Sequence, residues 1–156
     1  MKKQVLSIEQ MKHLKEFNLD INNSGMVCIF QDDYGEIISW DEVICEYKEH
    51  GDTFQYFRID EEGFHVPAYM YLLDSIGGIY DHSYKEDCAV FTLQDMIELM
   101  PESFKYDGNV YYLEIHKNSF GYTEYEEYES MYASNEDSII NNAYNTLIWL
   151  LENKYI

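Results

Sequence analysis

The stretch Phe91–Pro101, FTLQDMIELMP, specifies one helix by local chemistry alone. Thr92 can act as N-cap, and Asp95, three residues on, can bond back to it. This is a capping box with Asp in the place usually held by Glu or Gln. Leu93, Met96, Ile97 and Met100 recur at i, i+3, i+4 and i+7, so one side of the helix is apolar. Pro101 forbids easy continuation. Start, buried face and stop are all written locally. The stripe carries no ionisable group, which makes this helix scaffold.

An earlier stretch echoes it. In Leu6–Glu16, LSIEQMKHLKE, Ser7 and Gln10 make a capping box and Ile8, Met11 and Leu14 supply the stripe. The spacing predicts a helix from Ser7 to about Phe17. An offset of 85 lays Ser7 on Thr92, Gln10 on Asp95 and Met11 on Met96, and carries Met26–Gln31 onto Tyr111–His116. Residues 6–40 and 91–128 then both read helix, break, strand, turn, strand. Duplication of an α-β-β unit explains this. So does the general likeness of any two capped amphipathic helices followed by hairpins.

Between and after these stretches the chain reads mostly as strands. Met26–Gln31 and Glu36–Trp40, joined by Asp32-Asp33-Tyr34-Gly35, form a hairpin. The central segment 41–90 is less marked. Asp41–Glu49 suits a strand or a short helix, and Thr53–Ile59 is rich in strand formers. Asp60–Gly63 is a polar break. Pro67 at the start and Gly77-Gly78 at the end, with Met70, Leu73 and Ile76 between, predict a short helix. Ile79–Cys88 reads as a loop, and Lys105–Gly108 as a connecting turn. Val110–His116 alternates as a half-buried strand does, and Tyr122–Tyr128 returns as its hairpin partner. Ser134 is placed to cap a last helix over 134–153, with a stripe of Ile140, Ala143, Tyr144, Leu147, Ile148 and Leu151. These elements predict one α+β domain over 1–156, with a mainly antiparallel sheet covered on one face by helices.

Composition narrows the function. The chain of 156 residues is 46% apolar, enough for a real core, and carries a formal charge of −20 from 30 acidic and 10 basic residues, Arg58 being the only Arg. That charge disfavours direct nucleic-acid binding and anionic membrane surfaces, both of which call for a basic face. It leaves a basic protein partner open. Cys28, Cys45 and Cys88 are odd in number and lack CxxC spacing, so neither a disulfide framework nor a zinc site is expected. The opening MKKQVLSIEQMKHLKEF has no continuous apolar core, so no signal peptide is expected, and no apolar run reaches membrane-spanning length. The expected setting is the cytoplasm.

No catalytic, cofactor or metal site is written in the sequence. The five His form no ligand pair, there is no GxSxG, and Gly77-Gly78 lacks phosphate-loop spacing. Asp74, Asp81, His82, Asp87 and Cys88 are the nearest thing to a cluster, and the alternative of a small metal-dependent enzyme or hydrolase would use the Asp81-His82 region. The acidic residues are grouped: Gln31–Glu62 holds eleven Asp or Glu against Lys48 and Arg58. From Phe120 to Asp137 there is no Lys or Arg, and the carboxylates alternate with tyrosines. Tyr122, Glu124, Tyr125, Glu126, Glu127, Tyr128 and Glu129 are the candidate interaction surface, with Tyr as anchors. In a second reading the carboxylates imitate DNA phosphates, about 20 charges matching about ten base pairs, and block a nucleic-acid-binding protein.

Three segments together carry a resemblance: LSIEQMKHLKEF with the following NLDINNSGM, then FTLQDMIELMP, and the closing AYNTLIWLLENKYI. In this combination the chain resembles a group of small acidic proteins carried by gut anaerobic bacteria and their prophages or other mobile elements. The shared parts, the opening SIEQMKHLKE, the central FTLQD helix and the final helix ending in WLLEN, cover about a quarter of the chain, and Asp41–Cys88 lies outside them as a departure or an insertion. The resemblance implies a bacterial or phage cytoplasmic setting and carries over no activity or catalytic residue. The expectation is a non-enzymatic accessory protein that binds another protein through its acidic, Tyr-rich surface.

Overall fold

The computed structural model describes residues 5–21, 24–48, 53–74 and 88–156. In chain order the elements are α1 (Ile8–Glu16), β1 (Met26–Gln31), β2 (Ile37–Ile38), β3 (Ile44–Lys48), β4 (Thr53–Ile59), β5 (His65–Asp74), β6 (Ala89–Val90), α2 (Leu93–Leu99), β7 (Ser103–Tyr106), β8 (Asn109–His116), β9 (Ser119–Glu124), β10 (Ser130–Ser134) and α3 (Ile139–Glu152). The fold is α+β, with its strands divided between two antiparallel sheets where the hairpin pattern predicts one. The chain forms two compact units, residues 1–23 with 90–156, and Ser24–Ala89. The helix of segment 6–40 thus belongs to the first unit and its hairpin to the second, whereas 91–128 lies wholly in the first.

The first unit opens on its two capped helices. Gln10 N donates to Ser7 Oγ at 3.2 Å while Ser7 N donates to Gln10 Oε1 at 3.0 Å. In α2 Asp95 N donates to Thr92 Oγ1 at 3.2 Å and Thr92 N to Asp95 Oδ2 at 2.6 Å, so the shorter Asp side chain closes the box as well as Gln does. The two helices start from one bridge, Val5 to Thr92, with Leu6 N donating to Phe91 O at 3.0 Å. Met11, Leu14 and Met96 are fully buried from these helices. From α3, Ile140, Ala143, Leu147 and Leu150 are buried, while Tyr144, Ile148 and Leu151, also on the expected stripe, stay half-buried. Each large aliphatic side chain so buried contributes about 1.5–3 kcal/mol relative to exposure. Among the described residues no helix is long and apolar enough to cross a membrane.

The sheet of this unit has the order β10-β9-β8-β7. Registers place Phe104, Tyr111, Leu113, Phe120, Tyr122 and Tyr132 on one face, against which α3 packs. Phe104 stacks on Tyr155 at 4.5 Å and meets Tyr122 at 4.9 Å, and Trp149 stacks on Tyr132 at 4.8 Å. The aromatic residues of the C-terminal third therefore build a core layer before they build any surface.

Three expectations are corrected here. Lys105 is not in a turn: Ser103–Tyr106 is a strand, and the turn is Asp107-Gly108 alone, with φ of 47° and 86°. Both values are left-handed, which is what a two-residue hairpin of the twisted type requires. The return strand runs over Ser119–Glu124 rather than Tyr122–Tyr128, because Lys117-Asn118 is also a two-residue turn and β9 starts at once after it. The last helix starts at Ile139, capped by Ser138, and not at Ser134. Ser134 ends β10 and is buried, its hydroxyl donating to Asn142 Oδ1 at 2.9 Å.

The second unit holds the sheet β2-β1-β5-β4-β3. The expected helix after Pro67 is instead β5, whose residues 65–68 pair with β4 and 69–74 with β1. Periodicity misleads because the i, i+3 spacing of Met70 and Leu73 imitates a helix stripe, although in the pleat it sets them on opposite faces, while Val66, Tyr69 and Tyr71 favour a strand. Pro67 is tolerated because, among the described residues, β4 alone pairs with β5 there. Gly77-Gly78 and the loop expected over Ile79–Cys88 lie outside the described residues, except for Cys88.

Two loops of this unit share one design. Asp32 Oδ1 accepts from the amides of Tyr34 and Glu36 at 2.9 and 3.0 Å, and Asp60 Oδ1 from those of Glu62 and Phe64 at 3.0 and 2.8 Å. Gly35 and Gly63 complete these loops with φ of 79° and 88°. Arg58 Nη2 also donates to Asp32 Oδ2 at 3.1 Å. Burial pushes the Asp32 carboxyl up, but the Glu36 and Tyr34 amides and the Arg58 guanidinium outweigh it and hold the group below the ordinary carboxylate value. A depressed carboxyl stabilises above its unfolded value, about pH 3.9, and that contribution is lost as pH falls through the lower folded value. Asp32→Asn is therefore expected to be less stable than wild type near neutrality, with the gap narrowing as the solution is acidified. Thermal melts of the two proteins across that range check this, and a gap independent of pH contradicts it.

Candidate functional site

The surface with the most exposed aromatic and acidic chemistry in the first unit is the tip of the β9–β10 hairpin. Glu124 N donates to Glu129 O at 2.9 Å, and Glu127 N donates to Glu124 Oε2 at 2.6 Å. These bonds tie residues 125–128 into a compact loop. Tyr128 takes a left-handed φ of 56°, uncommon for an aromatic residue. Within this loop Tyr125 and Tyr128 are 72% and 77% exposed, and Glu126, Glu127 and Glu129 are exposed with them.

The loop does not stand off the sheet. Tyr125 meets Tyr112 of β8 edge-to-face at 6.4 Å and Tyr128 at 6.3 Å. Tyr112 sits on the sheet face opposite the α3 side, together with Glu114, His116 and Lys105, all exposed. A depression of about 390 Å³ lies between Tyr112, Glu114 and Tyr125. It is bounded by aromatic rings and a carboxylate, a combination that suits a basic side chain or the amphipathic rim of a protein partner.

The expected site residues divide. Tyr125, Glu126, Glu127, Tyr128 and Glu129 are brought together on one exposed loop. Glu124 is half-buried and spends its carboxylate on the Glu127 amide. Tyr122 is not on the surface: it is fully buried, its hydroxyl donates to Pro101 O at 2.7 Å, and burial raises the pKa of its phenol well above the ordinary value. Its place on the surface is taken by Tyr112, which sequence reasoning left out. The signal was present, since Tyr112 alternates with Tyr111 and Leu113 and so had to face away from the core.

Of the Asp74, Asp81, His82, Asp87 and Cys88 group, Asp81, His82 and Asp87 lie outside the described residues. Cys88 is buried. Cys28 is buried too, and burial, with a smaller push from Cys88, raises its thiol to about 12. A thiol held protonated in this way is a poor nucleophile. No family model, curated protein or solved structure matches this chain.

Proposed function

We propose that the protein is a non-enzymatic accessory protein of a mobile element, acting in the cytoplasm by binding another protein with a basic contact surface. The contact is made by the β9–β10 tip, with Tyr125 and Tyr128 as anchors, Tyr112 behind them, and Glu126, Glu127 and Glu129 steering the approach. The observation that carries the reading is the exposure of two large aromatic rings, 72% and 77%, among carboxylates in a stretch with no Lys or Arg from Asn118 to Asn153. Exposed tyrosines give contact area at low entropic cost, and the carboxylates supply selectivity for a basic partner.

The test is comparative. Host proteins retained by the immobilised wild-type chain are identified, and one is purified and titrated against wild type and Tyr125→Ala/Tyr128→Ala. Loss of two anchors is expected to weaken binding by roughly 30-fold or more, with a steep salt dependence for the wild type. Unchanged affinity in the double variant sinks the proposal. A retained protein that binds duplex DNA and is displaced by it identifies the contact as phosphate mimicry.

A further inference from the structure

A second feature of the first unit, away from the hairpin tip, has the character of a ligand site. Where α1, β10 and α3 converge, a cleft of about 300 Å³ is lined chiefly by His13, Tyr132, Tyr144, Asn145, Trp149 and Glu152. No Lys or Arg is among the lining residues.

Two side chains of this cleft, Asn145 and Glu152, present acceptors to it. Asn145 Nδ2 donates to Ser134 Oγ at 3.2 Å and to Glu136 Oε1 at 2.8 Å. Both of its hydrogens are therefore committed, and what Asn145 has left to offer is the acceptor Oδ1. Glu152 as a carboxylate only accepts. The Tyr144 hydroxyl lies 2.6 Å from His13 Nδ1, so a hydrogen is already engaged between them; with Nδ1 accepting it the phenol keeps its lone pairs and the His13 hydrogen sits on Nε2. The apolar wall is aromatic: Tyr132 stacks on Trp149 at 4.8 Å with 11° between the rings. Carboxylates also act on this wall. After burial, Glu136 and Glu152 raise the Tyr132 phenol, and Glu16 and Glu152 raise that of Tyr144.

A cleft that offers acceptors, negative potential and a ring face selects a ligand with donors, positive charge and a flat surface. An anion is repelled, and a neutral apolar group leaves the acceptors unpaired. An ammonium has three donors but is compact and strongly hydrated, whereas a guanidinium is planar, carries five donors and no acceptor, and stacks on aromatic rings. We propose that this cleft binds a guanidinium group, held by Glu152 and Asn145 Oδ1 against the Tyr132 ring. The group can belong to an arginine side chain of another protein or to a small free guanidine. The proposal is independent of the hairpin tip, and its test uses a small ligand, so the two readings fail separately.

The full chain is titrated with N-acetyl-arginine amide while proton–nitrogen correlation spectra are recorded. The Trp149 indole and Asn145 carboxamide signals are expected to move, and the Trp40 indole signal to stay. N-acetyl-citrulline amide, of the same shape without the charge, is expected to move neither. Glu152→Gln, at an exposed helix end, is expected to weaken binding roughly tenfold. Tighter binding of a peptide with arginine between glycines than of free ethylguanidine assigns the ligand to a protein side chain, and the reverse order to a small molecule. Stationary Trp149 and Asn145 signals, equal shifts from the citrulline compound, or wild-type affinity in Glu152→Gln overturns the proposal.

Discussion

Gly121→Ala is expected to break the pairing of β9 with β10 and to destabilise the first unit by about 3 kcal/mol or more. The reason is backbone, not side chain. A Cβ at Gly121 runs into the carbonyl oxygen of Tyr132, with Ala133 Cα at 2.8 Å and Tyr132 C at 2.9 Å. A flexible side chain could swing aside, but these atoms belong to the neighbouring strand. Gly121 pairs with Ala133, next to the register shift between Ser130 and Tyr132, where the bulge brings the two backbones close. Separating them pulls on Phe120 and Tyr122, both fully buried. Gly108→Ala is the control in the same sheet. Its φ of 86° strains any side chain, but nothing lies within 4 Å of the added atom. It is expected to cost about 1–2 kcal/mol. Denaturant melts of both variants measure the order, and a Gly108→Ala loss equal to or larger than that of Gly121→Ala contradicts this account.

Elements set by neighbours in sequence were legible, and those set by neighbours in space were not. Both capping boxes need only residues three apart, and both are present as expected. β1 has the expected bounds, since a short run of strand formers ending at Asp-Asp-Tyr-Gly is self-contained. Pro67 and the Met70-Leu73 spacing were read as a helix because the strand depends on β1 and β4 being there to pair with. The four-residue β7 was missed because SFKY is too short to show a period, although Asp107-Gly108 is a strong hairpin turn signal. At the candidate site the acidic loop was legible as a charge run, but its limits were not. A shift of the return strand from 122–128 to 119–124 moved Tyr122 into the core and left Tyr125 to Glu129 as the tip. One register decision determined which tyrosines are scaffold and which are surface.

The start of α3 shows the same dependence on long-range pairing, and Asn142→Ala tests it. Ser134 looks like an N-cap because Asn-Glu-Asp follows it, yet the cap is Ser138, and residues 135–137 are held by a side chain further along. Asn142 is completely buried. Its Oδ1 accepts from Ser134 Oγ at 2.9 Å and from Glu136 N at 2.6 Å, and its Nδ2 donates to Glu136 O at 2.9 Å. One carboxamide thus satisfies both backbone groups of Glu136 and anchors the end of β10 to the first turn of α3. Alanine removes all three bonds and leaves their partners without that carboxamide. At about 1–3 kcal/mol for each polar group left buried and unpaired, moderated by water entering the gap, the expected loss is about 3 kcal/mol. Asn153→Ala, at the exposed helix end, removes one bond to Trp149 O and is expected to cost less than about 1 kcal/mol. Amide exchange gives a local readout as well. The Glu136 amide is expected to exchange much faster in Asn142→Ala, while the amides of Leu147 and Leu150 change only with global stability. Equal stability of the two variants, with no acceleration at Glu136, means that the Asn142 carboxamide does not hold β10 to α3.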